Sequence, residues 1–415
     1  DPAGSVFPGS RQPVVNACGG GVMRVAYVCC DPGIPVYGAK GCSLHVQEIL
    51  RALVARGAEV ELFAVRVGGA PPVGLESVRV CQAHVAKHRN SGDREQALVN
   101  AGERVTGLLD ERGPFDLVYE RHALWSAAAM QWAARRGVPS ILEVNAPLIE
   151  EQATHRTLVD ADAARRIAAE CLTAAGVVAC VSRGVADYAQ GLGAAPSRTI
   201  VVPNGVRTSR FQARRPRTSR SAPFTVGFLG SLRPWHAVDD LLRAFALMDS
   251  HSQPAECSLV VVGDGPRREH LQHLVAQQPI AVQRRVQLVG AVAPAETPSW
   301  LAWFDAAVAP YAAGCECYFS PLKLFEYMAA GLPIVAADSG QMSEVISHAK
   351  NGLLYQPGNL LELRDRLELL KQDPASAEHM GATARQEAAR EHAWETRLDS
   401  MLGAAGLCLN PSIAG

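Results

Sequence analysis

The chain of 415 residues is 48% hydrophobic and only 20% charged, enough apolar material for two domains with proper cores, and its formal net charge of −1 supplies no global field for nucleic acid. No run approaches the roughly 20 apolar residues that a spanning helix needs, and the N-terminus lacks the basic-then-apolar order of a secretion signal, so a cytoplasmic protein is expected. Its eleven cysteines are odd in number and scattered, which fits reduced core thiols better than a disulfide framework.

Residues 1–22, rich in Gly, Pro and Ser, read as a disordered extension ahead of the fold. From Met23 the order is a strand (RVAYVCC), a loop holding Pro32, Gly33, Pro35 and Gly38, a helix (SLHVQEILRALVARG) capped by Gly57, and a strand (EVELFAV): a β-α-β unit. A helix near Arg94 to Glu111, the strand FDLVYE, a helix from Ala123 to Arg136 and the strand PSILEVNAP continue the alternation. A long helical stretch from Glu150 to Ala175, the strand VVACVS, a short helix after Ser182 and TIVVPNGV complete a first domain. The strands are near-continuous apolar runs, the pattern of a parallel sheet covered on both faces.

The stretch from Arg207 to Arg220, with six arginines, interrupts the alternation; it reads as a solvated linker or as a contact for acidic lipid headgroups at the inner membrane face. FTVGFLG restarts the pattern at Phe224, followed by a helix from Val238, SLVVVGDG, a helix from Arg267, VQLVG, AAVAPY, a helix at Leu322 and PIVAAD. The expected class is α/β: two tandem doubly wound Rossmann-like domains facing a cleft, at 23–205 and 224–390, joined by a linker at 206–223 and followed by a helix and tail at 391–415. Ligands of such sheets bind outside the carboxyl ends of the strands, so both domains contribute to one cleft.

In SPLKLFEYMAAGLPIVA, from Ser320 to Ala336, Pro321 suits a first helical turn, Leu322, Phe325, Met328 and Ala329 recur at helical spacing, and Gly331 supplies a left-handed C-cap. Lys323 and Glu326 then fall near a helix start, where amides attract phosphate and a carboxylate can accept from paired sugar hydroxyls. YGAKGCSLHV, from Tyr37, opens the first long helix, with Gly38 and Gly41 permitting close backbone approach to an anion, Lys40 adding charge, and His45 one turn in, suited to packing or to substrate contact. In GSLRPWHAVDD, from Gly230, Arg233 offers a fork of donors for two phosphate oxygens. YERHALWS places Glu120, Arg121 and His122 at one strand end, EVNAP places Glu143 and Asn145 at the next, and DSGQ places Ser339, Gly340 and Gln341 after a third. Cys315 and Cys317 have no second pair at ligand spacing, so no metal is expected.

The Glu326 segment resembles the donor-site signature of the retaining glycosyltransferases of family 4, of GT-B architecture: two glutamates eight positions apart, a small-residue helix, then G-x-P-V/I-V/I. Glu326 matches the second glutamate, whereas Tyr318 stands at the first, with Glu316 two residues earlier. The resemblance covers about residues 23 to 400. It implies that Glu326 holds the nucleotide ribose, that Gly41 approaches the diphosphate, and that a basic pair after the first strand of the second domain grips the donor phosphates. Here Ser231 replaces the arginine and His236 with Ala237 replaces Lys-Gly, which leaves Arg233 and Lys323 as the substitutes. Backbone at Val289, Gly290 and Val292 is implied to meet the base, with Ser320 and Leu324 beside the donor. On the acceptor side the candidates are Lys40, His45, Glu120, Arg121 and Asn145; His122 is the nearest imidazole, and many relatives carry histidine where Asn145 falls.

The implied reaction moves a sugar from a nucleotide-diphosphate donor, UDP before GDP, to a hydroxyl acceptor with retention, without cofactor or divalent metal, with Arg233, Lys323 and His122 as the catalytic set. The C-terminal helix is implied to cross back to the first domain. A non-hydrolysing UDP-sugar epimerase of the same architecture and a non-catalytic sugar-nucleotide-binding subunit are the alternatives, the latter motivated by Tyr318, Ser231 and His236. A nicotinamide oxidoreductase would need a fuller glycine fingerprint and an acidic residue after EVELFAVRV.

Overall fold

The structure, a computed structural model, describes residues 21–85, 90–212, 223–248, 257–315 and 318–409. The first sheet holds β1 (Arg24–Cys29), β2 (Glu59–Ala64), β3 (Arg79–Gln82), β4 (Leu117–Arg121), β5 (Ser140–Val144), β6 (Val177–Cys180) and β7 (Thr199–Val201), in spatial order β3-β2-β1-β4-β5-β6-β7. The second holds β8 (Phe224–Leu229), β9 (Cys257–Val262), β10 (Val286–Gly290), β11 (Ala306–Ala309), β12 (Ile334–Ala337) and β13 (Leu353–Tyr355), in order β10-β9-β8-β11-β12-β13. Every pairing is parallel. These are the two doubly wound, Rossmann-like domains of the GT-B architecture, and the apolar strands are buried on both faces because helices cover each side.

The strand order reverses between β1 and β4 in the first domain and between β8 and β11 in the second. Connections leave in opposite directions at such a switch point, and the crevice between them is where doubly wound sheets bind ligands. Cys29, the last residue of β1, lies in register with Arg121, the last of β4, so Arg121 stands at the lip of the first crevice.

In the first domain, three elements differ from the sequence reading. The edge strand β3 gave no signal because it is short and mostly exposed. The long stretch from Glu150 is two helices, Leu148–His155 and Ala161–Ala174: Asp160 caps the second by accepting from Ala163 N at 2.8 Å, while Glu95 takes the amides of Val159 and Asp160. The helix placed at Ala123 begins at Ala128, after Ser126, whose hydroxyl donates to the buried Glu120 at 2.5 Å.

The final helix, Trp394–Ala404, buries Trp394, Leu398, Met401 and Leu402 in the first domain's core, in one cluster with Val46, Ile49 and Leu50 of the helix Gly41–Ala55. Each such side chain is worth roughly 1.5–3 kcal/mol when taken from water. The returning chain passes beside the linker, where Val206 N donates to His392 O at 2.8 Å.

Candidate active site

The second domain's crevice is lined from the helix Leu322–Ala329. Pro321 precedes it without a side-chain cap, so its opening amides are left to a ligand or to water, and Gly331 follows it at φ +71, the left-handed turn that lets the chain enter β12. Lys323, in its first turn, is buried, yet its Nζ has no hydrogen-bond partner among the described residues. Aromatic faces surround it instead, with the Phe228 centroid 4.5 Å away and Tyr311 at 5.3 Å. Burial pushes its pKa down to about 7. Room for the ammonium depends on Gly230, where a Cβ would come within 3.1 Å of Nζ.

His236 packs edge-on against Tyr311, with centroids 5.3 Å apart, and donates from Nδ1 to the Ser231 carbonyl. Burial, then the Lys323 charge, push it down to about 3, so this imidazole is neutral and the cation of the crevice is Lys323. Ala237, the next residue, holds a left-handed conformation at φ +43. Arg233 is exposed, its guanidinium 5.7 Å from the Trp235 ring centre, and Trp235 faces His155 of the first domain at 6.4 Å. Leu324 is fully buried in the core; Gly290 ends β10 at φ +96 with Arg268 against it, and Val292 is half-buried beyond.

Glu326 is about one-fifth exposed and faces Arg210 Nη1 at 3.5 Å. Burial lifts its carboxyl to about 7, against the pull of Arg210 and with a further push from Glu48. Arg210 also donates to Pro294 O at 2.5 Å, and Arg207 reaches Glu48 of the first domain at 3.4 Å. These two linker arginines therefore turn into the cleft, which corrects the solvated or lipid-facing reading for them; residues 213–222 of the linker lie outside the described residues.

Ser320 sits in the seam between domains, accepting from Asn204 N at 2.9 Å and donating to Gln341 Oε1, while its carbonyl accepts from Asn204 Nδ2 at 2.6 Å. Gln341 Nε2 donates onward to Val181 O at 2.7 Å. Tyr318, at the position of the expected first glutamate, donates to Glu151 of the first domain at 2.7 Å, and its carbonyl accepts from Ser182 Oγ. Glu316 and Cys317 fall outside the described residues.

Across the cleft, Gly41 opens the helix Gly41–Ala55, and a Cβ there would lie 3.8 Å from Leu322 Cδ1. Lys40 is exposed, 3.4 Å from Gly33 O. The five polar residues at the ends of β4 and β5 do not all converge. Glu120 turns back into the core, bonded by Ser126 at 2.5 Å at the start of the helix Ala128–Arg136, and burial lifts it to about 8. His122 is buried with both ring nitrogens unpartnered among the described residues, and burial pushes it down to about 4, so it is a neutral imidazole.

Glu143 is a hub that accepts from Tyr119 OH at 2.8 Å and Asn145 Nδ2 at 3.1 Å and pairs with His45 Nε2. Burial opposes its charge, but His45, Arg121 and Asn145 outweigh that and hold it at about 2. His45 packs edge-on against Trp394 at 4.7 Å, tying the hub to the returning helix. The Arg121 side chain makes no hydrogen bond or ion pair among the described residues, and its Nη1 is enclosed without a partner. Burial works against its charge, yet Glu143, with Tyr27, Cys29 and Cys42, holds it above the usual arginine range.

Sequence reasoning did not find Asn204, Arg210, Phe228 or Tyr311. The first follows TIVVP in an Asn-Gly pair and the second lies inside the Arg-rich run, so both had a signal; the two aromatics read as ordinary core. Among the described residues, no three His, Cys, Asp or Glu are grouped to hold a metal ion, and no helix is long and apolar enough to cross a membrane.

Comparison with known proteins matches residues 39–210 to the model described as Glycosyltransferase Family 4 and residues 223–373 to Glycosyl transferases group 1. The D-inositol 3-phosphate glycosyltransferase of Thermomonospora curvata is 28% identical over 399 residues, covering 88% of this chain and 90% of that protein. Glycogen synthase of Mycobacterium tuberculosis is 24% identical over 400 residues, covering 90% and 92%. Among solved structures, Anabaena Alr3699/HepE in complex with UDP and glucose aligns with a TM-score of 0.66 at 20% identity, over 91% of this chain and 98% of that one.

Proposed function

This chain belongs to glycosyltransferase family 4 and is an enzyme of GT-B architecture, and on that footing we propose that it transfers a sugar from a UDP-sugar to a hydroxyl acceptor with retention of anomeric configuration. One observation carries the donor site: Lys323, a buried ammonium with no hydrogen-bond partner among the described residues, at the switch-point crevice beside the uncapped start of its helix. A diphosphate supplies the acceptor oxygens that this ammonium lacks, and binding it raises the lysine's affinity for its proton. Arg233 grips the same diphosphate from the rim, Glu326 takes the ribose hydroxyls in exchange for Arg210, and Gly41 approaches from the first domain. Gly290 and Val292 bound the base pocket, while Ser320 and Leu324 support the donor wall from the seam and the core.

The barrier lies in charge separation. As the bond from the anomeric carbon to the diphosphate oxygen breaks, negative charge gathers on the leaving group, and Lys323, Arg233 and the helix starts stabilise it. The acceptor oxygen bonds to the anomeric carbon on the same face, and its proton passes to the departing phosphate oxygen. His122, neutral and unpartnered, can accept from a sugar or acceptor hydroxyl. Tyr318 in place of an acid leaves this route intact, because the leaving group is itself the base. We place the enzyme in the cytoplasm; liposome co-sedimentation tests contact with a membrane face.

A thermal-shift panel of UDP, GDP, ADP and TDP sugars tests the donor. The UDP-sugars should raise the melting point most, by stabilisation of about 2.7 kcal/mol at a hundred times Kd. No shift with any of them overturns the donor reading, and an isomer formed from UDP-sugar alone would make the protein an epimerase.

A further inference from the structure

We infer that Glu151 determines which sugar is transferred: its carboxylate, reaching across the cleft from the first domain and held by Tyr318, accepts a hydroxyl of a neutral hexose on the donor. This rests on the reading above, in which the second domain holds the donor diphosphate at Lys323.

The helix Leu148–His155 follows β5 at its carboxyl end. Glu151 and His155 are about one turn apart in it, so they share a face. That face meets both lips of the second domain's crevice. Tyr318, on the loop after β11, donates to Glu151 Oε1 at 2.7 Å, and Trp235, on the loop after β8, has its ring centre 6.4 Å from that of His155. The two loops are themselves joined, Ala312 N donating to Trp235 O at 3.0 Å. The helix therefore spans the mouth of the crevice that holds Lys323. Aromatic rings run from that ammonium toward the carboxylate: the Tyr311 centre lies 5.3 Å from Lys323 Nζ, Phe319 lies 5.3 Å from Tyr311, and Tyr318 lies 5.7 Å from Phe319. With the base bounded by Gly290 and Val292 at the β10 end of the sheet, the hexose leaves the diphosphate on the β11 side, along these rings. An aromatic wall ending in one carboxylate suits a sugar, whose C–H face packs on the rings while a hydroxyl finds its acceptor.

Burial and the bond to Glu151 hold Tyr318 above the ordinary tyrosine range, so the phenol stays a donor and Glu151 the acceptor. A carboxylate offers about four lone-pair sites. This one is half-buried and Tyr318 takes one site; Oε2 accepts nothing among the described residues. The seam is joined independently, by Ser320 with Asn204, Gln341 with Val181 and Ser182 with the Tyr318 carbonyl, which leaves Glu151 available to a ligand.

The test uses the full chain and calorimetry with UDP, UDP-glucose, UDP-galactose and UDP-N-acetylglucosamine, then with analogues of the tightest of these UDP-hexoses, each lacking one hydroxyl. In Glu151→Ala the UDP Kd should move less than about threefold, while that of the tightest UDP-hexose rises roughly tenfold or more. One deoxy analogue should bind the wild type roughly tenfold more weakly than its parent, yet bind Glu151→Ala within about threefold of it, because the lost hydroxyl and the lost carboxylate are two ends of one contact. Tyr318→Phe frees the carboxylate without removing it, so it should weaken the hexose about threefold and leave UDP alone.

Equal weakening of UDP and UDP-hexose in either variant marks a domain latch and overturns the inference. So do an unchanged hexose Kd in Glu151→Ala, a deoxy penalty that persists there, and a wild type that distinguishes no deoxy analogue. Should Glu151→Ala fail to fold by circular dichroism, Tyr318→Phe decides: the analogue penalised most by the wild type must be penalised less by this variant. Absence of UDP binding to the wild type sinks the donor reading and this inference with it; normal UDP binding with any of the failures above sinks the inference alone.

Discussion

The two domains repeat one architecture, yet their switch-point crevices solve opposite electrostatic problems. In the second, Lys323 stands among Phe228, Tyr311 and a neutral His236 with no carboxylate bonded to it, and burial leaves its proton loosely held near pH 7. In the first, Arg121 has Glu143 nearby and stays charged at any physiological pH. An aromatic cage makes a cation whose charge depends on what binds it; a neighbouring carboxylate makes a permanent one. The first arrangement favours a ligand whose negative charge grows during reaction, the second one whose charge is constant.

The largest effect should come from removing the caged charge. Lys323→Gln is expected to lower kcat by roughly a hundred- to thousandfold, the scale for losing a preorganised donor to developing charge, measured by initial rates at saturating donor. Arg233→Ala, at the exposed rim, should cost about tenfold. Full turnover of Lys323→Gln with collapse of Arg121→Gln would invert the comparison.

Acidity sharpens it next. Donor kcat/KM reports the free enzyme, which on the proposed donor site needs Lys323 protonated and Glu326 ionised. Glu326 is lifted to about 7, so its ionised form is lost as pH falls below that value; Lys323 is lowered to about 7, so its charge is lost as pH rises above it. A narrow bell near pH 7 is expected. Lys323→Arg should erase the alkaline limb and Glu326→Gln the acid limb. Stability follows the same groups: the depressed lysine makes the fold gain stability as pH rises from about 7 toward its ordinary value, where the unfolded chain binds more protons, while the raised glutamate makes it lose stability between its ordinary value and about 7.

How far the sequence foretold this depends on which way each residue had to point. The alternation of apolar strands with helices fixes both sheets, and Gly331 after a helical run fixes the entry into β12, because those signals are local and repeated. Side-chain aim at strand ends is not local. Glu120, Arg121 and His122 are consecutive, yet the first serves a helix start within the core while the second stands at the crevice. Only packing separates them. The Ser320–Asn204 and Tyr318–Glu151 bonds join residues 116 and 167 positions apart, so no window of sequence holds both partners. A run of arginines looked solvated because its carboxylates, Glu48 and Glu326, belong to two different domains.

Glu326→Ala should raise donor KM by roughly tenfold with kcat nearly kept if, as proposed, it removes a ribose contact made equally in ground and transition states. At the seam, Tyr318→Phe deletes the hydroxyl that reaches Glu151 and should cost about 1 kcal/mol of stability by denaturant melts, without the kcat loss of Lys323→Gln. A large kcat loss in Tyr318→Phe would mean that the seam, and not the caged lysine, sets the rate.

The smallest expected effect is the most local. Ala237 holds φ +43 and ψ +39, where its Cβ crowds the following carbonyl, directly after the neutral His236 that packs beside the cage. Ala237→Gly relieves that crowding while adding freedom to the unfolded chain, so a net gain of about 0.5–1 kcal/mol is expected, a rise of roughly 1–4 °C in melting point. The donor Kd is the informative second reading. Unchanged affinity would make the strain a property of the turn alone; weaker binding with a higher melting point would show that the turn presses His236 and Tyr311 around Lys323, so that part of the crevice's geometry is held by backbone strain that the first domain's crevice, with no left-handed non-glycine residue among its described residues, does without.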